Sequence, residues 1–144
     1  MELELLTVRQ STYHLYNKMF EKLLKKNNIT QLEADIILFL ADNKKCDTAS
    51  GIIAARHLSK SHVSSSVESL SCHGLLDRER DDNNQKLVHL KLTEKAKPIV
   101  DEGRKIQREF NKKIFEGISD ADAKILTQSL EKINQNATKA YKSY

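Results

Sequence analysis

Ser59-Lys60-Ser61-His62-Val63-Ser64-Ser65-Ser66-Val67-Glu68-Ser69-Leu70-Ser71-Cys72-His73-Gly74-Leu75-Leu76 is the stretch whose reading decides the fold. Val63, Val67 and Leu70 recur at helical spacing, so the segment is expected to be a helix with a narrow apolar stripe. Ser59 stands where an N-cap belongs, and Gly74 where a left-handed residue closes a helix. The outward positions are Ser61, His62, Ser65, Glu68 and Ser69. Five of the nine residues from Ser61 to Ser69 are serines, which form helices poorly. A face serving only the fold would more often carry Glu, Lys or Ala. Small donors and acceptors placed there at the expense of helix stability point to a contact surface instead.

Just beyond Gly74 the apolar period changes from 3.6 to 2. Leu76 to Arg80 reads as one short strand, and Val88, Leu90 and Leu92, alternating with His89 and Lys91, as a second. Asp81-Asp82-Asn83-Asn84-Gln85 between them is a polar turn, which makes the pair a β-hairpin. Upstream, Ile52, Ile53 and Ala55 give a short helix to about His57, with Asp47 or Thr48 as its N-cap. Leu58-Ser59 then breaks the helix before the serine-rich one starts.

Further out lie longer helices. Thr30-Gln31-Leu32-Glu33 is a capping box that opens a helix running to Asp42-Asn43. Before it, apolar residues from Val8 to Leu24 recur at helical spacing in a first helix ending near Asn27-Asn28. After the hairpin, Thr93 is expected to cap a helix from Glu94 to about Phe115. Pro98, at its fifth position, should remove one hydrogen bond and bend its start. Gly117 ends it. Ser119 caps a last helix whose one side carries Ile125, Leu126, Leu130, Ile133, Ala137 and Tyr141. The expected fold is mainly α with a small β-hairpin, a winged helix-turn-helix flanked by long N- and C-terminal helices.

A chain of 144 residues is one domain in length and can bury a sizeable core. With 39% apolar residues, 31% charged ones and a single proline it reads as globular and helical. The net charge of +4 is modest, but ten basic against seven acidic residues lie between Lys44 and Lys97, so most of the excess sits in the middle third. No apolar run approaches the roughly 18 residues of a membrane span, which predicts a protein with no membrane partner. Two cysteines without metal or redox spacing fit a reducing compartment, so the cytoplasm is the expected location. Gly-rich phosphate loops, nucleophile elbows and metal-ligand clusters are missing from the sequence, which argues against an enzyme, a cofactor and a metal.

A helix that enters the DNA major groove needs one apolar face to lock it down and another of small polar groups to meet base edges. The order of helix, short helix, turn, polar-faced helix and hairpin supplies this. Candidate DNA-binding residues are Thr48, Ser59, Lys60, Ser61, His62, Ser64, Ser65, Ser66 and Ser69, with Arg78, Asn84, Gln85 and Lys86 in the hairpin. Lys60 and Ser61 start the helix, where backbone amides favour phosphate.

The stretch Thr48 to Thr93 resembles the winged helix-turn-helix of MarR-type (multiple antibiotic resistance regulator) transcriptional regulators. Leu58-Ser59-Lys60-Ser61-His62-Val63-Ser64, Val67-Glu68-Ser69-Leu70, Gly74-Leu75-Leu76-Asp77-Arg78 and Leu90-Lys91-Leu92-Thr93 carry the resemblance, and the flanking helices extend it to nearly the whole chain. The resemblance implies a single domain over 1–144, with a winged DNA-binding region at 30–93 and dimerisation helices at 1–29 and 94–144. It implies a homodimer on a pseudo-palindromic double-stranded operator, its half-sites about one turn or 34 Å apart. The implied function is that of a sequence-specific transcriptional regulator, a repressor released by a small-molecule or redox signal. The competing reading is a winged-helix module for protein–protein contact with weakened or lost DNA binding.

Two departures from the family pattern bear on this. Asn84, Gln85 and Lys86 stand where the family's wing carries Asp and two basic residues. Ser65 stands where arginine is frequent, which forgoes a guanine contact worth roughly 1–3 kcal/mol. DNA binding is therefore expected to be weaker or differently specified, with more weight on DNA shape. A small aromatic or lipophilic effector of the kind such regulators bind would meet Tyr13, Tyr16, Met19, Phe20 and Phe39, although core packing accounts for apolar residues at this spacing more simply. Cys46, beside Lys44 and Lys45, and Cys72 are the candidate redox thiols, and unpaired incidental cysteines are the simpler reading.

Overall fold

The computed structural model describes residues 2–144, with side chains from residue 4 onward. The elements are α1 (Glu2–Asn27), α2 (Gln31–Asp42), α3 (Ala49–Arg56), α4 (Lys60–Cys72), β1 (Leu76–Arg80), β2 (Val88–Leu92), a 3₁₀ turn (Glu94–Ala96), α5 (Lys97–Ile114) and α6 (Asp120–Tyr141). Two compact units divide the chain, one reaching to Phe110 and one from Asn111 to Tyr144.

Local chemistry sets most boundaries. Asn28 adopts a left-handed conformation after α1. The capping box at α2 is complete: Thr30 Oγ1 accepts the Glu33 amide at 3.1 Å, and Glu33 Oε2 accepts the Thr30 amide at 3.1 Å. Thr48, not Asp47, caps α3, its Oγ1 accepting the Gly51 amide at 3.1 Å. Gly74 and Gly117 both have positive φ, as the ends of α4 and α5 require.

The first unit is built on one core. Phe20 and Leu23 of α1, Ile36 and Ile37 of α2, Ile52 of α3, and Val63 and Leu70 of α4 are fully or almost fully buried. Each such side chain contributes about 1.5–3 kcal/mol of burial. Leu76 and Leu90 seal the hairpin to this core. β1 and β2 pair antiparallel with Leu76 opposite Leu92, Arg78 opposite Leu90 and Arg80 opposite Val88. A further backbone bond, from the Leu90 amide to the Asp47 carbonyl at 2.7 Å, ties β2 to the segment ahead of α3.

The start of α5 departs from expectation. Thr93 makes no side-chain cap, because its hydroxyl donates to the Gly74 carbonyl at 2.6 Å. A 3₁₀ turn takes the place of the first helical turn, and α5 proper starts at Lys97. Pro98 is then its second residue, where an amide has no partner within the helix to lose. The missing donor therefore costs little there. In the second unit, Ser119 caps α6 by accepting the Asp122 amide at 3.1 Å. Among the described residues of α6 none is buried.

Candidate nucleic-acid interface

Serine, histidine and lysine side chains gather on the outer side of α4 because its inner side is taken by the core. Val63, Val67 and Leu70 point inward. Lys60, Ser61, His62, Ser64, Ser65 and Glu68 are exposed, and Ser69 is partly so. Ser66 corrects the sequence reading. It is only 8% exposed, on the same face as Val63, Val67 and Leu70, and cannot present its hydroxyl to a base. The spacing i, i+3, i+4, i+7 from Val63 already includes position 66. Naming Ser66 among the DNA contacts, although it is not one of the outward positions, overlooked this.

The turn into α4 is tight. His57 closes α3 in a left-handed conformation at φ 51°, and the Leu58 amide returns to the Ile53 carbonyl. Ser59 Oγ then accepts the His62 amide at 3.3 Å, so this predicted DNA contact also has a capping task. The same holds for Thr48, whose hydroxyl lies 3.3 Å from Ser50 Oγ besides capping α3. Lys60 and Ser61 occupy the first turn of α4, as expected.

The hairpin stands against α4 through an ion pair. Arg78 Nη2 of β1 donates to Glu68 Oε2 of α4 at 2.8 Å. Arg78, expected to face DNA, thus has a protein partner, and both side chains stay largely exposed. At the tip, Asp81 Oδ1 accepts the amides of Asn83 and Asn84 at 2.8 and 3.1 Å. Asn84 Oδ1 accepts the Lys86 amide, and Arg80 donates to the Gln85 carbonyl. Asn84, Gln85 and Lys86 are all exposed. The side chain of Asn84 is engaged in the turn, which leaves Gln85 and Lys86 as the outward-reaching pair of the three.

Residues 27–86 match the MarR family model. That stretch, which folds as a winged helix-turn-helix, is similar to the MarR family. Solved structures extend the likeness of fold to almost the whole chain. A MarR family transcriptional regulator from Listeria monocytogenes, complexed with a 26mer DNA, superposes with a TM-score of 0.82 at 18% identity, over 94% of this chain and 87% of that one. A MarR transcriptional regulator from Methanosarcina mazei gives 0.82 at 19%, over 97% and 99%. BpsR of Bordetella bronchiseptica, whose DNA binding is regulated by 6-hydroxynicotinic acid, gives 0.72 at 17%, over 91% and 98%. No curated protein matches the sequence.

By its place in the winged helix-turn-helix fold α4 is the second helix of the helix-turn-helix and the hairpin is the wing. The candidate effector residues do not form one site. Phe20 is fully buried in the core and Tyr13 is 59% exposed. Tyr16 stacks on Phe20 at 4.6 Å and meets Phe110 edge-on at 5.1 Å. Tyr16 and Phe39 do share a cavity of about 110 Å³ with Asp35, Arg56 and Gln107. Gln107 donates to the Tyr16 hydroxyl at 3.0 Å. Burial raises the pKa of Tyr16, and burial likewise raises that of Asp35, against the bond from Gln31 and the charge of Arg56. Cys46 is partly buried beside Gly51, and Cys72 is exposed with its thiol 3.8 Å from Glu68 Oε1.

The sequence reading missed the polar contacts that hold the wing. Lys91 of β2 is ion-paired with Glu79 of β1. His89 bonds Asp47 and Asp81, each at 2.8 Å. The Lys91–Glu79 pair could have been found, since the hairpin register places residues 91 and 79 on one diagonal. No short-range signal links Asp47 to His89. Among the described residues, no group of three His, Cys, Asp or Glu could hold a metal ion, and no helix is long and apolar enough to cross a membrane.

Proposed function

We propose that this protein is a sequence-specific double-stranded-DNA-binding transcriptional regulator that acts in the cytoplasm as a homodimer. The observation that carries the reading is α4 itself. Its valine and leucine side is locked in the core while its hydroxyl and cationic side is open, with a hairpin ion-paired alongside. Such a helix can lie in a major groove with Ser61, His62, Ser65 and Ser69 toward base edges and Lys60 toward phosphate. Gln85 and Lys86 reach flanking phosphates or a minor groove. The Listeria monocytogenes relative in fold, solved on DNA, supports the same use of this architecture.

The homodimer rests on apolar surface left open in each unit. In α6, Ile125, Leu126, Leu130 and Ile133 are 41–62% exposed, and Leu5, Leu6 and Val8 of α1 are 44–58% exposed. A second copy covering them would present two recognition helices to a pseudo-palindromic operator. Repression released by a small-molecule or redox signal is the regulatory mode proposed with it. BpsR, with its 6-hydroxynicotinic acid, supports the small-molecule form. The cavity of about 110 Å³ at Tyr16 and Phe39 is below the roughly 300–1,000 Å³ of drug-sized sites, so a ligand of that size would enter there only if the cavity opened.

Selection of bound fragments from a random duplex pool tests the reading. Recovery of an inverted repeat with half-sites one turn apart is the expected result. A dimer making about 6–10 phosphate contacts should lose on the order of 10³–10⁵ in affinity between 50 and 200 mM salt. The Arg78–Glu68 pair, which takes a cation from the DNA side, favours the alternative of a protein-contact module. That alternative predicts no enrichment of any duplex.

A further inference from the structure

His89 is the second residue of β2 and has a carboxylate on each ring nitrogen. Nδ1 lies 2.8 Å from Asp47 Oδ1, and Nε2 lies 2.8 Å from Asp81 Oδ2. Imidazole donates from both nitrogens only when protonated, so this geometry belongs to the imidazolium. The two acids belong to different parts of the winged unit. Asp47 immediately precedes Thr48, the N-cap of α3, and its carbonyl holds the Leu90 amide. Asp81 opens the wing turn, and its other oxygen accepts the Asn83 and Asn84 amides. One ring on β2 therefore joins the segment ahead of α3 to the turn that shapes the wing tip.

We propose that His89 is the positioning residue of the wing: its doubly bonded imidazolium locks the wing turn to the entrance of α3, and loss of its proton releases the wing and weakens DNA binding. This rests on the DNA-binding reading above and names a pH control within that same site.

The charges around the ring fix the direction. Asp81 from the turn and Asp47 from the loop face it directly, Glu79 lies opposite on β1, and Lys91 on β2 pairs with Glu79. The bonds to Asp81 and then Asp47 hold the His89 pKa above the usual histidine value, and partial burial opposes them only weakly. The same bond holds the Asp81 carboxyl below its usual range, with the Asn83 amide adding to it. A raised histidine pKa means that the clamp is whole below about 6.5, the unfolded value, and is lost as pH rises through the higher folded value. Once the proton leaves, one nitrogen turns a lone pair toward a carboxylate oxygen, and that contact becomes repulsive. The wing turn, with Gln85 and Lys86, then loses its tie to the segment ahead of α3.

The experiment uses the full chain and a fluorescent 26-base-pair duplex of mixed sequence at low salt, titrated at pH 6.5 and 8.5. Wild type should bind roughly tenfold more weakly at pH 8.5, the weight of one or two phosphate contacts. His89→Gln and Asp47→Asn should bind at pH 6.5 about as weakly as wild type does at pH 8.5, and change little with pH. His62→Gln, which removes the histidine on the DNA face itself, should keep the pH response. Parallel pH profiles for wild type and His89→Gln would overturn the proposal. Ring ¹⁵N–¹H correlation spectra and amide-exchange protection of Asn83 and Asn84 judge the clamp without DNA. Both ring nitrogens should be protonated at pH 6.5, and protection should fall as the ring titrates. A ring protonated once at pH 6.5, or protection indifferent to its titration, would refute the clamp. Absence of duplex binding at both pH values with an intact ring titration would instead refute the DNA-binding reading.

Discussion

On the proposed DNA-binding function, single side chains decide both what α4 reads and what holds it in place. Ser65, exposed at the middle of the helix, offers one hydroxyl where an arginine would offer a planar fork. Lys86 is a point charge on the wing. Ser65→Ala should therefore alter which duplexes are selected. Lys86→Ala should instead weaken all duplexes alike and make the salt slope shallower by about 1 for each phosphate no longer neutralised. Binding isotherms on a selected and a scrambled duplex at several salt concentrations separate the two. Asp35 gives a prediction about stability. Burial raises its pKa above the ordinary aspartate value, so its ionised form burdens the fold. The burden is absent below the unfolded pKa and appears as pH rises through the folded one. Asp35→Asn, which can still accept from Gln31, should raise the urea midpoint at pH 7 and leave it unchanged near pH 3. A lower midpoint at pH 7 would show that Asp35 is held by its partners more than it is penalised by burial.

At the scale of elements, what could be read in advance was what is local. The N-caps of α2, α4 and α6 each join residues three apart, and Thr30, Ser59 and Ser119 are all used as their spacing predicts. The hairpin strands coincide with the predicted runs because their alternation is short-range too. Thr93 failed as a cap for a tertiary reason: its hydroxyl is claimed by Gly74, nineteen positions back. Asp47 and His89 lie 42 positions apart, and no periodicity connects them. The exposed polar face of α4 was legible from the apolar spacing, and Ser66, buried on the opposite side, belongs to that spacing and not to the face. Close packing between helices was equally hidden. A Cβ built on Gly103 of α5 would come within 2.9 Å of Leu38 Cδ2 on α2, and Leu38 is itself buried. Gly103→Ala gains about 1 kcal/mol of helix propensity and loses about 1–3 kcal/mol to overpacking, so a net loss of up to about 2 kcal/mol is expected. Gly103→Val should lose more. Thermal melts of the two variants check it, and an alanine variant more stable than wild type would mean that Leu38 has room to turn.

For the molecule as a whole, the open question of physics is what covers the apolar side of α6. Isolated exposed leucines are ordinary on a protein surface, but Ile125, Leu126, Leu130 and Ile133 recur along one helix, and each is more than 40% exposed. Glutamate at two of these positions would place carboxylates in the middle of any seam formed by a second copy. Leu130→Glu combined with Ile133→Glu removes no buried side chain, because no described residue of α6 is buried. The core of Phe20, Ile37, Val63 and Leu70 lies in the other unit and should keep its melting transition. Sedimentation should fall from twice the 16.5 kDa chain mass to that of a single chain. Two recognition helices bound to one another gain roughly 10²–10⁴ in apparent affinity over one alone, and the variant should forfeit that on an inverted repeat. On a single half-site it should bind as the wild type does. A double variant that still sediments at twice the chain mass would place the interface elsewhere, and a wild type that is monomeric at micromolar concentration would leave α4 to meet DNA alone.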